Sequence, residues 1–150
     1  MLVKALLKNK PREVVTANSS TLIDEAMELL ISNKIGCLPV VEDSGKLIGI
    51  ISDKDIFKKV HETKGDFHSL KVSDIMATDL IIGLPDDEIN YIAGVMDKNW
   101  IRHVPIVDGE RVIGLISLRD IVKEQAKKME IENRYLDLYM NMRKDKSGDI

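Results

Sequence analysis

Two short stretches place a hydroxyl and a carboxylate three residues apart, where an apolar run gives way to a charged one. They are Ser52-Asp53-Lys54-Asp55 and Ser117-Leu118-Arg119-Asp120. One chemistry that suits this spacing is local. A serine at the N-cap of a helix accepts from the N3 backbone N–H while an acidic N3 residue reaches back to the cap, an arrangement usually worth about 0.5–2 kcal/mol. The other chemistry is recognition. A helix N-terminus offers unpaired N–H groups and the positive end of its dipole to a phosphate. An adjacent hydroxyl can donate to that phosphate, and a carboxylate can accept from both hydroxyls of a ribose. The two readings are compatible.

Other reactive side chains carry less. Arg102 and His103 precede Val104-Pro105 and could bring a guanidinium and an imidazole to a phosphate, or serve as a surface cation and a structural histidine. Their counterparts before Leu38-Pro39, Gly36 and Cys37, offer neither. Cys37 has no general base beside it in sequence and reads as a small packing residue. Trp100 could stack on an adenine but reads better as packing beside a helix end. Lys54 and Arg119, after the two serines, read as solvated, as do His61 and His68 in a polar stretch. No Gly-rich phosphate loop, nucleophile elbow, HExxH or His/Cys cluster is present, so the sequence argues against an enzyme.

The elements that must hold these groups occur twice. Ile35-Gly36-Cys37-Leu38-Pro39-Val40-Val41 is answered 66 residues later by Ile101-Arg102-His103-Val104-Pro105-Ile106-Val107. Leu47-Ile48-Gly49-Ile50-Ile51-Ser52 is answered by Val112-Ile113-Gly114-Leu115-Ile116-Ser117, at an offset of 65. The slip falls in Glu42 to Lys46 and Asp108 to Arg111, which read as hairpin turns, where a change of length costs little. Ahead of each copy's Pro lies a helical pattern, Ile23-Ala26-Met27-Leu30 and Ile89-Ile92-Ala93-Met96, the first after an Asn18 to Thr21 start signal. β-branched runs predict strands at 14–16, 38–41 and 47–51, then at 80–82, 104–107 and 112–116. The expected fold is α/β: two β-α-β-β-α units packed sheet against sheet about a pseudo-two-fold axis, plus a C-terminal helix. The expected limits are a short helix at 1–9, copy one at 10–60, a mobile linker at 61–71, copy two at 72–125, and a terminal helix over 126–150, frayed from Lys144.

Over residues 10–125 the sequence resembles the cystathionine-β-synthase (CBS) domain family, two copies forming the tandem pair called a Bateman module. The resemblance rests on the helix before Pro39-Val40-Val41, the Gly49-x-x-Ser52-x-x-Asp55 junction, and their second copies. More narrowly, the chain is similar to stand-alone bacterial CBS-pair proteins, with a short helix at Leu2 to Leu7 and Arg102-His103-Val104-Pro105 in copy two. The resemblance implies an adenosyl ligand (AMP first, then ATP or NAD, with S-adenosylmethionine in the same class) in clefts between the copies, and a homodimer. It implies that Asp55 and Asp120 hold ribose and that Ser52 and Ser117 lie near phosphate. One implied cleft combines Ser52 and Asp55 with Leu80, Ile81, Ile82, Arg102, His103 and Pro105. The other combines Ser117 and Asp120 with Val15, Thr16, Ala17, Gly36, Cys37 and Pro39. The expectation is a regulatory sensor with no catalytic cofactor, acting on an unidentified effector protein; the alternative is a ligand-free dimerisation scaffold. CBS pairs also lie within larger enzymes such as IMP dehydrogenase, whose barrel of typically about 250 residues a chain of this length could not hold.

The chain as a whole agrees. Its 150 residues suit one compact domain, and 44% apolar with 31% charged residues describes an ordinary globule. A net charge of −3 gives no general pull toward nucleic acid or an anionic membrane. The single cysteine and the lack of a leader signal or long apolar run suggest the cytoplasm. Beyond Asp120, one stripe (Val122, Ala126, Met129, Leu136, Met140) and another (Ile131, Tyr135, Leu138, Met142) predict a helix that covers its own module or pairs with a second subunit.

Overall fold

The structure is a computed structural model that describes residues 1–10 and 13–147. It contains helices α1 (Val3–Asn9), α2 (Ile23–Asn33), α3 (Asp53–Glu62), α4 (Ile89–Asn99) and α5 (Leu118–Ser147). A short 3-10 turn, η1, spans Val72–Asp74, and four strands, β1 (Cys37–Val41), β2 (Leu47–Ser52), β3 (His103–Asp108) and β4 (Arg111–Ser117), form two antiparallel hairpins. The fold is mixed α/β, built as two copies of one unit.

Apolar periodicity sets each helix. In α2 the buried face is Ile23, Ala26 and Leu30, and in α4 it is Ile89, Ile92 and Met96, in the i, i+3, i+7 phase of an amphipathic helix. Both helices end on a residue in the left-handed region, Lys34 (φ 54°) and Trp100 (φ 56°). The expected start signal at Asn18 to Thr21 forms a turn of its own, Asn18 N–H donating to Thr21 Oγ1, and the N-cap of α2 is Leu22.

The register of the hairpins positions the site. Cys37 pairs with Ser52 in one, and His103 with Ser117 in the other. Each hairpin carries a bulge, at Val40/Val41 and at Ile106/Val107. The bulges account for one departure from the sequence reading. Residues 14–16 and 80–82 form no strand. Each run is reduced to one parallel bridge just after it, Ala17 to Val40 and Gly83 to Ile106. The bridge lands at the bulge, where the hairpin edge twists away from further pairing.

The copies join reciprocally. Leu47 N–H donates to Glu110 O (3.1 Å) and Val112 N–H to Gly45 O (3.2 Å), the same contact seen from each side of a pseudo-two-fold axis. Each copy also borrows the segment that leads into the other. Val3 and Leu6 of α1 join the core of copy two with Ile92, Val104 and Ile116. Phe67 and Val72, which lead into copy two, join the core of copy one with Ile23, Leu38 and Ile51. Backbone bonds fix both exchanges, Val3 N–H to Asp87 O at 2.8 Å and Val72 N–H to Thr21 O at 2.7 Å. Residues 61–71, read from sequence as a mobile linker, are thus fastened to copy one. His61 lies in α3, and His68 is exposed with Nδ1 2.8 Å from Asp24 Oδ2.

Helix α5 runs unbroken from the junction of copy two to Ser147. Gln125 Nε2 donates to Asn90 Oδ1 (2.9 Å); beyond it the side chains through Lys144 are exposed, so α5 does not cover its own module. Its backbone stays helical past Lys144, where fraying was expected; residues 148–150 lie outside the described residues.

Candidate functional site

Both junctions close as capping boxes. Asp55 N–H donates to Ser52 Oγ (3.2 Å) and Ser52 N–H to Asp55 Oδ2 (2.9 Å). In copy two, Asp120 N–H donates to Ser117 Oγ (3.1 Å) and Ser117 N–H to Asp120 Oδ2 (2.8 Å). All four residues are half-buried. The cap reading is therefore realised, and it sets hydroxyl and carboxylate at the first turns of α3 and α5, where backbone N–H groups gather.

Beside each box runs the segment that enters the hairpin. Asp53 N–H donates to Gly36 O (2.9 Å), and the matching Leu118 N–H to Arg102 O (2.8 Å). The groups held there differ sharply. A Cβ on Gly36 would lie 3.3 Å from Asp53 Oδ2 and 3.5 Å from His103 Cε1, so Gly36, Asp53 and His103 converge on one spot between the copies. Burial lowers the pKa of His103 most; Asp53 and Asp120 draw it back up, while Lys10 and Arg102 oppose them. The net direction favours neutral imidazole, which offers a phosphate one N–H rather than a positive charge. Arg102 is exposed and carries the fixed charge of this corner. Cys37 is buried, and burial, then the charges of Asp55 and Asp53, push its thiol up to about 12. It packs.

Asp120 is held differently from Asp55. Burial would raise its carboxyl, but the Ser117 backbone N–H, the Lys10 ammonium and the Ser117 hydroxyl outweigh that and hold it below the ordinary value. Lys10 Nζ lies 2.9 Å from Asp120 Oδ2 and donates also to Leu115 O at 2.6 Å.

The structure thus brings Gly36 and Asp53 against His103, pairs Cys37 with Ser52 in one hairpin, and sets Ser117 opposite His103 in the other. Ala17 is buried and exchanges backbone bonds with Pro39 and Val41, and Gly83, just past Ile82, does the same with Pro105 and Val107. Pro39 and Pro105 are buried; Val15, Thr16, Leu80 and Ile81 are half-buried, and Ile82 is exposed. The bonds made by Gly36 and the charges acting on Cys37 come from the junction of their own copy. Sequence reasoning missed Asp53 and Lys10. Asp53 could have been found, because its partner in the repeat is Leu118, a charge set against an apolar residue; nothing in the sequence marks Lys10. Trp100, expected to pack, is 95% exposed. Among the described residues no group of three His, Cys, Asp or Glu could hold a metal ion. A shallow groove along α5, lined by Ala126, Met129, Glu130, Asn133, Arg134 and Asp137, lies farther down that helix than the junction.

Known proteins match this arrangement. The CBS domain family model fits residues 9–62 and 72–127, and the chain belongs to that family. It is 32% identical over 113 residues to the CBS domain-containing protein YhcV of Bacillus subtilis, covering 75% of this chain and 79% of that one. It is 36% identical over 121 residues to L-aspartate semialdehyde sulfurtransferase of Methanocaldococcus jannaschii, covering 80% of this chain but spanning only 22% of that enzyme's length. Among solved structures, the CBS domain pair of protein MJ0100 in complex with 5′-methylthioadenosine and S-adenosyl-L-methionine superposes with a TM-score of 0.76 at 35% identity, covering 85% of this chain and 98% of that one. No helix among the described residues is long and apolar enough to cross a membrane.

Proposed function

We propose that this CBS domain pair is a regulatory sensor that binds an adenosyl ligand at its two strand-to-helix junctions and has no catalytic activity of its own. The observation that carries the reading is the paired junction: in each copy a serine hydroxyl and a carboxylate stand three residues apart at a helix start, and beside the junction of copy one Gly36 and Asp53 meet His103 of copy two. A ligand held there touches both copies, so a difference in its affinity for two arrangements of the pair would shift the balance between them. The adenosyl compounds bound by the MJ0100 pair support this ligand class. Asp55 and Asp120 would hold ribose, Ser52 and Ser117 would approach phosphate, and Arg102 with neutral His103 favour a phosphorylated ligand, AMP ahead of ATP or NAD. The exposed apolar stripes of α5 suit pairing with a second copy or an effector protein, in the cytoplasm.

A thermal-shift series with AMP, ADP, ATP, NAD, S-adenosylmethionine, 5′-methylthioadenosine and GTP, on wild type, Asp55→Ala and Asp120→Ala, tests it. Ligand at 100 times its dissociation constant stabilises the fold by about 2.7 kcal/mol. Stabilisation by one adenosyl compound, lost in an Asp variant, is the expected result. The completed capping boxes favour a second reading, a ligand-free scaffold in which Ser and Asp only cap helices, and that reading expects no shift with any compound.

A further inference from the structure

The two junctions share a cap but not a charge environment. Lys10 ends the segment that copy two borrows, and its ammonium sits 2.9 Å from Asp120 Oδ2, the same oxygen that accepts the Ser117 N–H. Among the described residues no Lys, Arg or His pairs with Asp55 in the same way. The lead segments match at an offset of 69, Leu2 and Val3 answering Lys71 and Val72, and Leu7 over Gly114 answering Met76 over Gly49. At that offset the counterpart of Lys10 is Asp79, an exposed carboxylate, so copy one has no ammonium where copy two has one.

Resting on the reading of Asp55 and Asp120 as ribose-holding groups, we propose that Lys10 is an internal occupant of Asp120 which the ligand must displace, raising the concentration at which the second junction fills. A carboxylate that holds a ribose diol accepts a hydrogen bond from each hydroxyl. The ammonium of Lys10 already engages one of its two oxygens. Displacing it also breaks the bond to Leu115 O, which ties the lead segment to β4. Occupancy of the second junction is therefore coupled to release of residue 10. The pair is partly exposed, with 31% of the Lys10 side chain and 23% of the Asp120 side chain open to solvent, so the penalty is one a ligand can overcome.

The test compares full-length wild type, Lys10→Met and Lys10→Gln, each also carrying Asp120→Ala or Asp55→Ala, by calorimetric titration with AMP and with 5′-methylthioadenosine. Circular dichroism melts check that every variant folds. Removing the ammonium should tighten binding at one site by about two- to fivefold. That gain should disappear with Asp120→Ala and survive Asp55→Ala. Unchanged or weaker binding in both Lys10 variants overturns the proposal, weaker binding marking Lys10 as a ligand contact instead. A ligand-independent readout separates this from failure of the underlying reading: in Lys10→Met the Asp120 carboxyl, followed by NMR, should titrate at higher pH than in wild type. If it does and neither compound binds any form, the sensor reading has failed and Lys10 is only a clamp; if it does not, the pair itself is absent.

Discussion

Asp53 and His103, one from each copy, meet over the bare face of Gly36, where a Cβ would lie 3.3 Å from Asp53 Oδ2 and 3.5 Å from His103 Cε1. The carboxylate of Asp53 is the first influence to draw the pKa of His103 back up against the effect of burial. Removing that charge leaves burial, Lys10 and Arg102 less opposed. Asp53→Asn should therefore move the His103 titration to still lower pH, as followed by the imidazole proton shifts; an upward move would show that the two side chains do not interact as described.

Acid should weaken the protein in two separate windows. His103 is depressed in the fold, so the unfolded chain, with an imidazole near about 6.5, binds the proton first. Stability falls as pH drops through that value and levels off below the folded pKa. Asp120 is also depressed, but as an acid its contribution is present above its unfolded value of about 3.9 and is lost only as pH falls through the lower folded value. His103→Gln should flatten the melting temperature between pH 8 and 5.5 and leave the steeper loss below pH 4 in place.

The Cys37 thiol, raised to about 12 and buried, should resist Ellman's reagent at pH 8 in the native state and react fully in urea. Native labelling at the rate of a free thiol would contradict both its burial and the negative charge of Asp55 and Asp53 around it.

Gly114 leaves room for Leu7 of the borrowed segment: a Cβ there would fall 2.6 Å from one Leu7 methyl carbon. Gly114→Val should destabilise the fold by about 1–3 kcal/mol in urea titration. Adding Leu7→Ala should then cost less in that background than in wild type. Additive losses would mean that the two positions are not in contact.

The pairing of copies, the helices and both capping boxes were legible because each depends on local pattern: repeat offset, apolar phase, and Ser with Asp three residues apart. The strands at 14–16 and 80–82 were not, because β-branched composition cannot report that the neighbouring edge is bulged and offers a single bridge. Trp100 is exposed at the left-handed residue that ends α4, though a ring of that size usually packs, and nothing in Asn99-Trp100-Ile101 marks the turn. Lys10 was invisible for a topological reason. Its partner lies 110 residues away, and only the exchange of lead segments brings them together.

That exchange bears on how such a protein could have come to exist. Consider one copy with its own lead segment as a separate chain. Alone, it would leave uncovered the surface that Val3 and Leu6 cover in copy two, or Phe67 and Val72 in copy one, while its own lead segment had nothing to rest on. Two such chains could satisfy each other by trading lead segments, forming a swapped dimer with the same contacts. Tandem duplication would then join two halves that were already interlocked, converting a concentration-dependent partnership into an intramolecular one without requiring a new interface.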